Sequence, residues 1–278
     1  MSSTESKVDH YLVLGNPISH SKSPQIHAAF AQQTGQSMEY SARLVELDGF
    51  ASTLKQLQAE GVKGANITVP FKQEAWDLMT SLSPRAEQAK AVNTIVFADD
   101  GELIGDNTDG LGLVADLKIN NSVDLKNKRV LMLGAGGAAR GVINPIMSEQ
   151  PELLVIANRT VARAEEIVAD FALPNAMSAC GFEDLAQMQG FDVVINATSA
   201  SLSGDLPPLP ETLFNEDACA YDMMYGKEPT VFMSWASSHG AQKVLDGLGM
   251  LVEQAAEAFL IWRGVRPDTA QVIAQLRT

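Results

Sequence analysis

The chain has 278 residues, with 34 acidic side chains against 20 basic ones and a net charge of −14. No Lys/Arg cluster offsets that acidity, so nucleic acid is not an expected partner, and an anionic ligand would need positive charge supplied locally. No apolar run reaches the ~18–20 residues that cross a bilayer, and MSSTESKVDH carries no secretory signal, so a cytoplasmic protein without membrane partners is expected.

The 46% hydrophobic content and the length suit two domains of moderate size. Cys180 and Cys219 read as small buried residues in a reducing compartment. His10, His20, His27 and His239 show no metal-ligand spacing, and no metal is expected.

Strand and helix patterns alternate almost throughout, which predicts an α/β fold with mainly parallel sheets. A first strand is expected at 10–15. Ser23-Pro24 reads as a helix cap followed by proline at the first helical position, with the helix running to about Gln33 and ending at Gly35. A second strand follows at 41–47, and Asp48 is expected to cap a helix reaching Glu60. ANITV, 65–69, is the third strand, broken by Pro70. Ser83-Pro84 opens another helix, and 93–107 reads as a hairpin about Asp100-Gly101.

A second α/β unit begins after about residue 108. RVLMLG (129–134), LLVIAN (153–158), FDVVIN (191–196) and ACAYDM (218–223) are its expected strands, with helices near 137–149 and 160–171. DLPPLPE, 205–211, is a loop. A long helix at 248–263 places Leu251, Ala255, Phe259 and Trp262 near one face, Arg266-Pro267 interrupts it, and a short helix finishes the chain.

GAGGAAR, 134–140, follows a strand and opens a helix, the context a dinucleotide-binding turn requires. Gly134 makes the tight turn, Gly136 admits the pyrophosphate, and Ala139 permits close helix–strand packing. The backbone from Gly134 through Ala135, Gly136, Gly137 and Ala138 is the expected cradle, at a helix N-terminus that favours phosphate. Tight turns alone are the competing explanation. About 20 residues on, an NAD site places an acid for the ribose 2′-OH. NRTVAR, 158–163, has none: Asn158, Arg159, Thr160 and Arg163 stand there, and guanidinium groups suit the 2′-phosphate of NADP. Alternatively, both arginines are solvated helix-start residues.

In the N-terminal half, GNPISHSKSP carries Ser21 and Ser23, NITVPFK carries Thr68 and Lys72, AVNT carries Asn93, and DNTDG carries Asp106, Asn107 and Asp109. A lysine and a carboxylate beside a nicotinamide can support ketone reduction, because the nascent alkoxide needs a cation or proton donor. Taken singly, Asp109 could be a turn former and Lys72 a surface lysine.

Taken together, these motifs, with NATS, YDMMY and DGLGMLVEQAAEAF in the same order, resemble the shikimate dehydrogenase family from about residue 11 to 276. The resemblance implies a substrate-binding catalytic domain of residues 1–108 and 247–278, to which the C-terminal helices return, and a Rossmann-type NADP-binding domain of residues 109–246. It implies NADPH-dependent reduction of 3-dehydroshikimate to shikimate in aromatic amino-acid biosynthesis, by a monomer or homodimer. Ser21 and Ser23 carry over as carboxylate-binding residues. Thr68, Asn93 and Asp109 carry over as partners of the ring hydroxyls, and Lys72 as the catalytic lysine with Asp109 beside it. Tyr225 and Gln254 match substrate contacts, although a buried tyrosine hydroxyl needs a partner in any case. Met223 and Gly247 match positions beside the nicotinamide. A quinate/shikimate dehydrogenase preferring NAD and a non-catalytic NADP-binding regulator are the alternatives.

Overall fold

The computed structural model describes residues 8–173, 175–198, 200 and 204–277. The chain divides into two compact units. One runs to Gly112 and resumes at Val252, and the other is Leu113–Leu251.

The first unit is built on a six-stranded sheet of order β2-β1-β3-β5-β6-β4. Its strands are β1 (Asp9–Gly15), β2 (Met38–Leu44), β3 (Gly64–Ile67), β4 (Ser81–Leu82), β5 (Thr94–Phe97) and β6 (Leu103–Asp106). β1 pairs in parallel with β2 and β3, while β5 runs antiparallel to both β3 and β6. The hairpin expected about Asp100-Gly101 joins β5 to β6, with Gly101 at φ 93°. Helices α1 (Ser23–Thr34), α2 (Phe50–Glu60), α3 (Lys72–Leu78) and α4 (Pro84–Ala89) complete this part of the chain. α1 and α2 end at Gly35 and Gly61, both left-handed, where glycine avoids the Cβ penalty.

Three local expectations need correction. Ser23 lies inside α1 and not at its cap. Lys22 is the cap residue, and Ser21 Oγ accepts from the Ser23 N–H at 3.3 Å. Asp48 does not cap α2, whose cap residue is Gly49. β2 lies three residues earlier than 41–47, because its pairing begins at Asp9 opposite Met38 and ends at Gly15 opposite Leu44. Val45, just beyond the strand, is buried, and the Asn16 amide donates to its carbonyl at 2.9 Å. The Ser83 cap is present, its hydroxyl accepting from the Ala86 N–H. Short α3 and β4 carry too little periodicity to be read in sequence.

In the second unit, α5 (Asp109–Ala115), which begins in the first, passes into a five-residue π turn at Asp116–Asn120. An all-parallel sheet of order β12-β11-β10-β7-β8-β9 follows. It comprises β7 (Arg129–Leu133), β8 (Leu153–Ala157), β9 (Met177–Cys180), β10 (Phe191–Asn196), β11 (Phe214–Asp222) and β12 (Lys243–Asp246). Helices α6 (Gly137–Ser148), α7 (Val161–Phe171) and α8 (Val231–Ser238) connect the strands. Apolar clusters cover both faces of this sheet, which is why its strands read as near-continuous hydrophobic runs.

α9 (Leu248–Arg263) and α10 (Ala270–Leu276) end the chain. Within the first unit, Ala255, Ala258 and Phe259 are fully buried, and Trp262 Nε1 donates to the Ile95 carbonyl at 3.0 Å. A Cβ at Gly64 would lie 2.3 Å from that indole nitrogen, so glycine is required there. Arg263 donates to Asp9 at 2.5 Å and to Gln36 at 2.8 Å, fastening the helix to β1 and to the end of α1.

His27, on α1, is fully buried among aromatic rings and stacks on Tyr40 at 4.1 Å. Asn66 lies near its ring, but neither ring nitrogen makes a hydrogen bond to any described residue. Burial disfavours the imidazolium and holds the pKa down at about 3, against 6.5 in the unfolded chain. The unfolded state therefore takes up the proton first as pH falls, so stability is whole above about pH 6.5 and is lost progressively toward pH 3. His27→Phe removes this linkage. Urea unfolding should show it gaining about 2 kcal/mol over wild type on moving from pH 7.5 to pH 5. An identical pH dependence in the two proteins would show that His27 does not carry it.

Candidate active site

The first unit assembles a polar cluster from four distant segments. Pro70 ends the third-strand segment, and Lys72 opens α3 directly beyond it. Lys72 Nζ donates to Asp109 Oδ2 at 2.6 Å. The pair is only partly shielded, with side-chain exposures of 25% for Lys72 and 11% for Asp109, so the ammonium remains reachable.

Asn93, just before β5, fixes the other carboxylate oxygen. Its amide donates to Asp109 Oδ1 at 2.8 Å, to Thr108 Oγ1 at 2.9 Å and to Gln254 Oε1 at 3.3 Å. Its own oxygen accepts from the Thr108 N–H at 2.9 Å. Asn107 holds the loop from below: its amide donates to the Ala91 carbonyl at 3.0 Å, and its oxygen accepts from the Asp109 N–H at 3.1 Å. Each member is thus oriented by a bond to another, the arrangement a preorganised site needs.

Asp106 does not join this cluster. Arg85 grips it through two bonds of 2.6 Å, and Ser83 adds a third, so it anchors α4. Thr68 stands at the end of the third-strand segment, where a Cβ on Gly15 would come within 2.4 Å of its methyl group. Ser21 and buried Ser23 flank Lys22 at the start of α1. Tyr40 links to the cluster from behind. Its hydroxyl donates to Asn66 Oδ1 at 2.7 Å, and the Asn66 amide donates to the Asn93 carbonyl at 3.1 Å. Burial holds the Tyr40 phenol well above its usual pKa.

In the second unit the glycine turn lies where β7 separates β8 on one side from β10 on the other, the switch point at which such sheets bind ligands. Gly134 takes φ 104°, and a Cβ there would lie 2.9 Å from the Thr198 methyl. Gly136 and Gly137 have open space where a Cβ would stand, beside the unpaired N–H groups that begin α6. Ala135 and Ala138 complete the turn, and buried Ala139 packs the helix against the sheet. This cradle fits a dinucleotide pyrophosphate.

At the tip of β8, Arg159 and Arg163 are exposed and form no ion pair with any described residue. Thr160 occupies the α7 cap position without a side-chain bond, and the Asn158 amide donates to its carbonyl at 2.8 Å. Met223 follows β11 and is buried. Gly247 donates its N–H to the Met224 carbonyl at 3.1 Å, and a Cβ there would lie 2.2 Å from the Met223 carbonyl oxygen. Tyr225 belongs to this second unit, partly buried and with its phenol pKa raised by burial.

The structure therefore brings Lys72, Asn93, Asp109 and Gln254 together. Thr108, Asn66 and Tyr40 belong to the same network but were not singled out in sequence. Thr108 and Asn66 stand in quoted motifs, where proximity to Asp109 and Thr68 was the available signal. Tyr40 had none, because its link depends on strand pairing. Among the described residues no cluster of His, Cys, Asp and Glu could hold a metal ion.

A parallel sheet with a glycine turn at its switch point, in a chain that also builds a part-buried Lys–Asp pair, defines the class of nucleotide-linked oxidoreductases. Family models agree along the chain: the shikimate dehydrogenase substrate binding domain over residues 13–95, shikimate/quinate 5-dehydrogenase over 115–203, and the shikimate 5′-dehydrogenase C-terminal domain over 247–277. The chain belongs to the shikimate dehydrogenase family.

A relative from Alkalilimnicola ehrlichii, named shikimate dehydrogenase (NADP(+)), is 57% identical over 270 residues, covering 97% of this chain and 98% of its own. The crystal structure of an Ael1 enzyme from Pseudomonas putida matches with a TM-score of 0.93 and 48% identity, over 97% of this chain and 98% of that one. Shikimate 5-dehydrogenase from Thermus thermophilus, in complex with NADP(H) and shikimate, matches with a TM-score of 0.85 and 32% identity. That match covers 98% of this chain and all of the other.

Proposed function

We propose that the chain is an NADP-dependent shikimate dehydrogenase, interconverting 3-dehydroshikimate and shikimate in aromatic amino-acid biosynthesis. The observation that carries the reading is the 2.6 Å Lys72–Asp109 pair, held by Asn93. Bound NADPH supplies a hydride to the carbonyl carbon of 3-dehydroshikimate. Lys72 neutralises the charge that develops on the carbonyl oxygen and delivers the proton that completes the hydroxyl. Asp109 keeps the ammonium aimed and accepts from the neighbouring ring hydroxyl. Asn93 and Thr68 also bind the ring hydroxyls, and Tyr225 and Gln254 are further substrate contacts. Ser21 and Ser23 bind the carboxylate at the start of α1, where N–H groups favour an anion.

On this reading the first unit holds the substrate, and the second holds NADP through the glycine turn, Asn158, Arg159, Thr160, Arg163, Met223 and Gly247. A cytoplasmic monomer or homodimer belongs to the same proposal. Among the described residues no helix is long and apolar enough to cross a membrane.

The test is direct. Protein mixed with shikimate and NADP⁺ should generate the absorbance of reduced nicotinamide, with far slower reduction when quinate replaces shikimate or NAD⁺ replaces NADP⁺. No reduction with shikimate and either cofactor would overturn the assignment.

A further inference from the structure

Asp116 is 3% exposed and starts the π turn after α5. The extra residue of that turn brings two side chains back to one carboxylate. The amides of Asn120 and Asn121 donate to Asp116 Oδ1 at 2.9 and 3.1 Å. From the sheet, the hydroxyl of fully buried Tyr221 donates to Asp116 Oδ2 at 2.7 Å, and the Met250 backbone N–H, in the first turn of α9, lies near it. The carboxylate also lies against the first turn of α9. A Cβ at Gly249 would sit 2.0 Å from Oδ1, so only glycine allows that approach. An anion at a helix N-terminus is favoured by the helix dipole and by the free N–H groups.

One side chain thus ties together the turn after α5, the C-terminal end of β11 and the N-terminus of α9. Two residues after Tyr221 stands Met223, and two before Gly249 stands Gly247. These are the two residues placed beside the nicotinamide, and a Cβ on Gly247 would press within 2.2 Å of the Met223 carbonyl. We infer that Asp116 is a positioning residue for the hydride-transfer step, setting the spacing of Met223 and Gly247 through Tyr221 and the start of α9. The inference rests on the proposed function and extends it to a residue that touches neither substrate nor cofactor.

Asp116→Asn tests it, because an amide places an N–H group where the surrounding side chains donate. A displacement of about 1 Å at a reacting centre can cost roughly 10²-fold in rate. The expected result is a kcat lowered roughly 10- to 100-fold with the KM for shikimate little changed. The isotope effect with shikimate deuterated at the reacting carbon should rise, since hydride transfer becomes rate-limiting. Calorimetric titration with 2′,5′-ADP, which lacks the nicotinamide, should give wild-type affinity and stoichiometry. Tyr221→Phe removes one hydroxyl and should move kcat and the isotope effect the same way, by less. If Asp116→Asn fails to fold, Tyr221→Phe decides alone.

An unchanged isotope effect, or a kcat loss matched by an equal loss of 2′,5′-ADP stoichiometry, would overturn the positioning role and leave a purely structural one. Absence of turnover in the wild type would instead overturn the functional reading itself.

Discussion

Lys72→Met is expected to lower kcat for shikimate oxidation by roughly 10²–10⁴-fold, the range for a lost general acid–base partner. The KM for shikimate should move little. An interaction that strengthens as charge develops on the reacting oxygen acts on the transition state, whereas uniform binding would appear in KM. Methionine fills the same volume without a charge, so packing is not the variable. Asp109→Asn should lower kcat too and also raise KM, because it loses the 2.6 Å bond that aims Lys72 and a substrate contact. The double variant should be little worse than Lys72→Met, as expected of residues acting as one unit. Steady-state kinetics on the three variants, with circular dichroism to confirm folding, tests the set. A folded Lys72→Met enzyme with near-normal kcat would remove Lys72 from the mechanism.

The same pair shows how far the sequence could be read. Lys72 and Asp109 were identifiable as chemistry-bearing residues only from their motifs taken together, since singly each could be structural. Their 2.6 Å separation was not, since it is made by α3 and the start of α5, 37 residues apart. The long parallel strands of the second unit were legible because both faces are buried, leaving continuous apolar runs. β2 was misplaced because none of its residues is buried, so pairing with β1 fixes its limits more than hydrophobic pattern does. Ser23 looked like a cap because serine before proline usually is one. Here Lys22 takes that place and the Ser23 side chain turns inward. Asp116 carries no local signal at all: a lone aspartate in an apolar helix gains meaning only when Tyr221 and Gly249 are brought to it.

Cofactor choice should depend on Arg159 and Arg163. The 2′-phosphate of NADP distinguishes it from NAD, and the tip of β8 offers two exposed guanidinium groups with no ion pair among the described residues. Two cations at the start of α7 oppose the helix dipole, an arrangement that a bound phosphate would relieve. Arg140, in the glycine motif, is differently placed: it is bonded to Glu166 at 3.0 Å and Asp170 at 2.6 Å, and its charge is already matched. Arg159→Ala should therefore cost NADP⁺ about 1.5–3 kcal/mol, the value of a lost charged hydrogen bond, which is roughly 10- to 150-fold in kcat/KM. NAD⁺, which has no 2′-phosphate, should be nearly unaffected, so the preference between the two narrows by the same factor. Arg163→Ala should act in the same direction, whereas Arg140→Ala should leave the ratio of kcat/KM for NADP⁺ to that for NAD⁺ unchanged. Initial rates with each cofactor at saturating shikimate measure the ratio for all four proteins. Equal kcat/KM for NADP⁺ and NAD⁺ in the wild type would show that the two arginines do not read the 2′-phosphate.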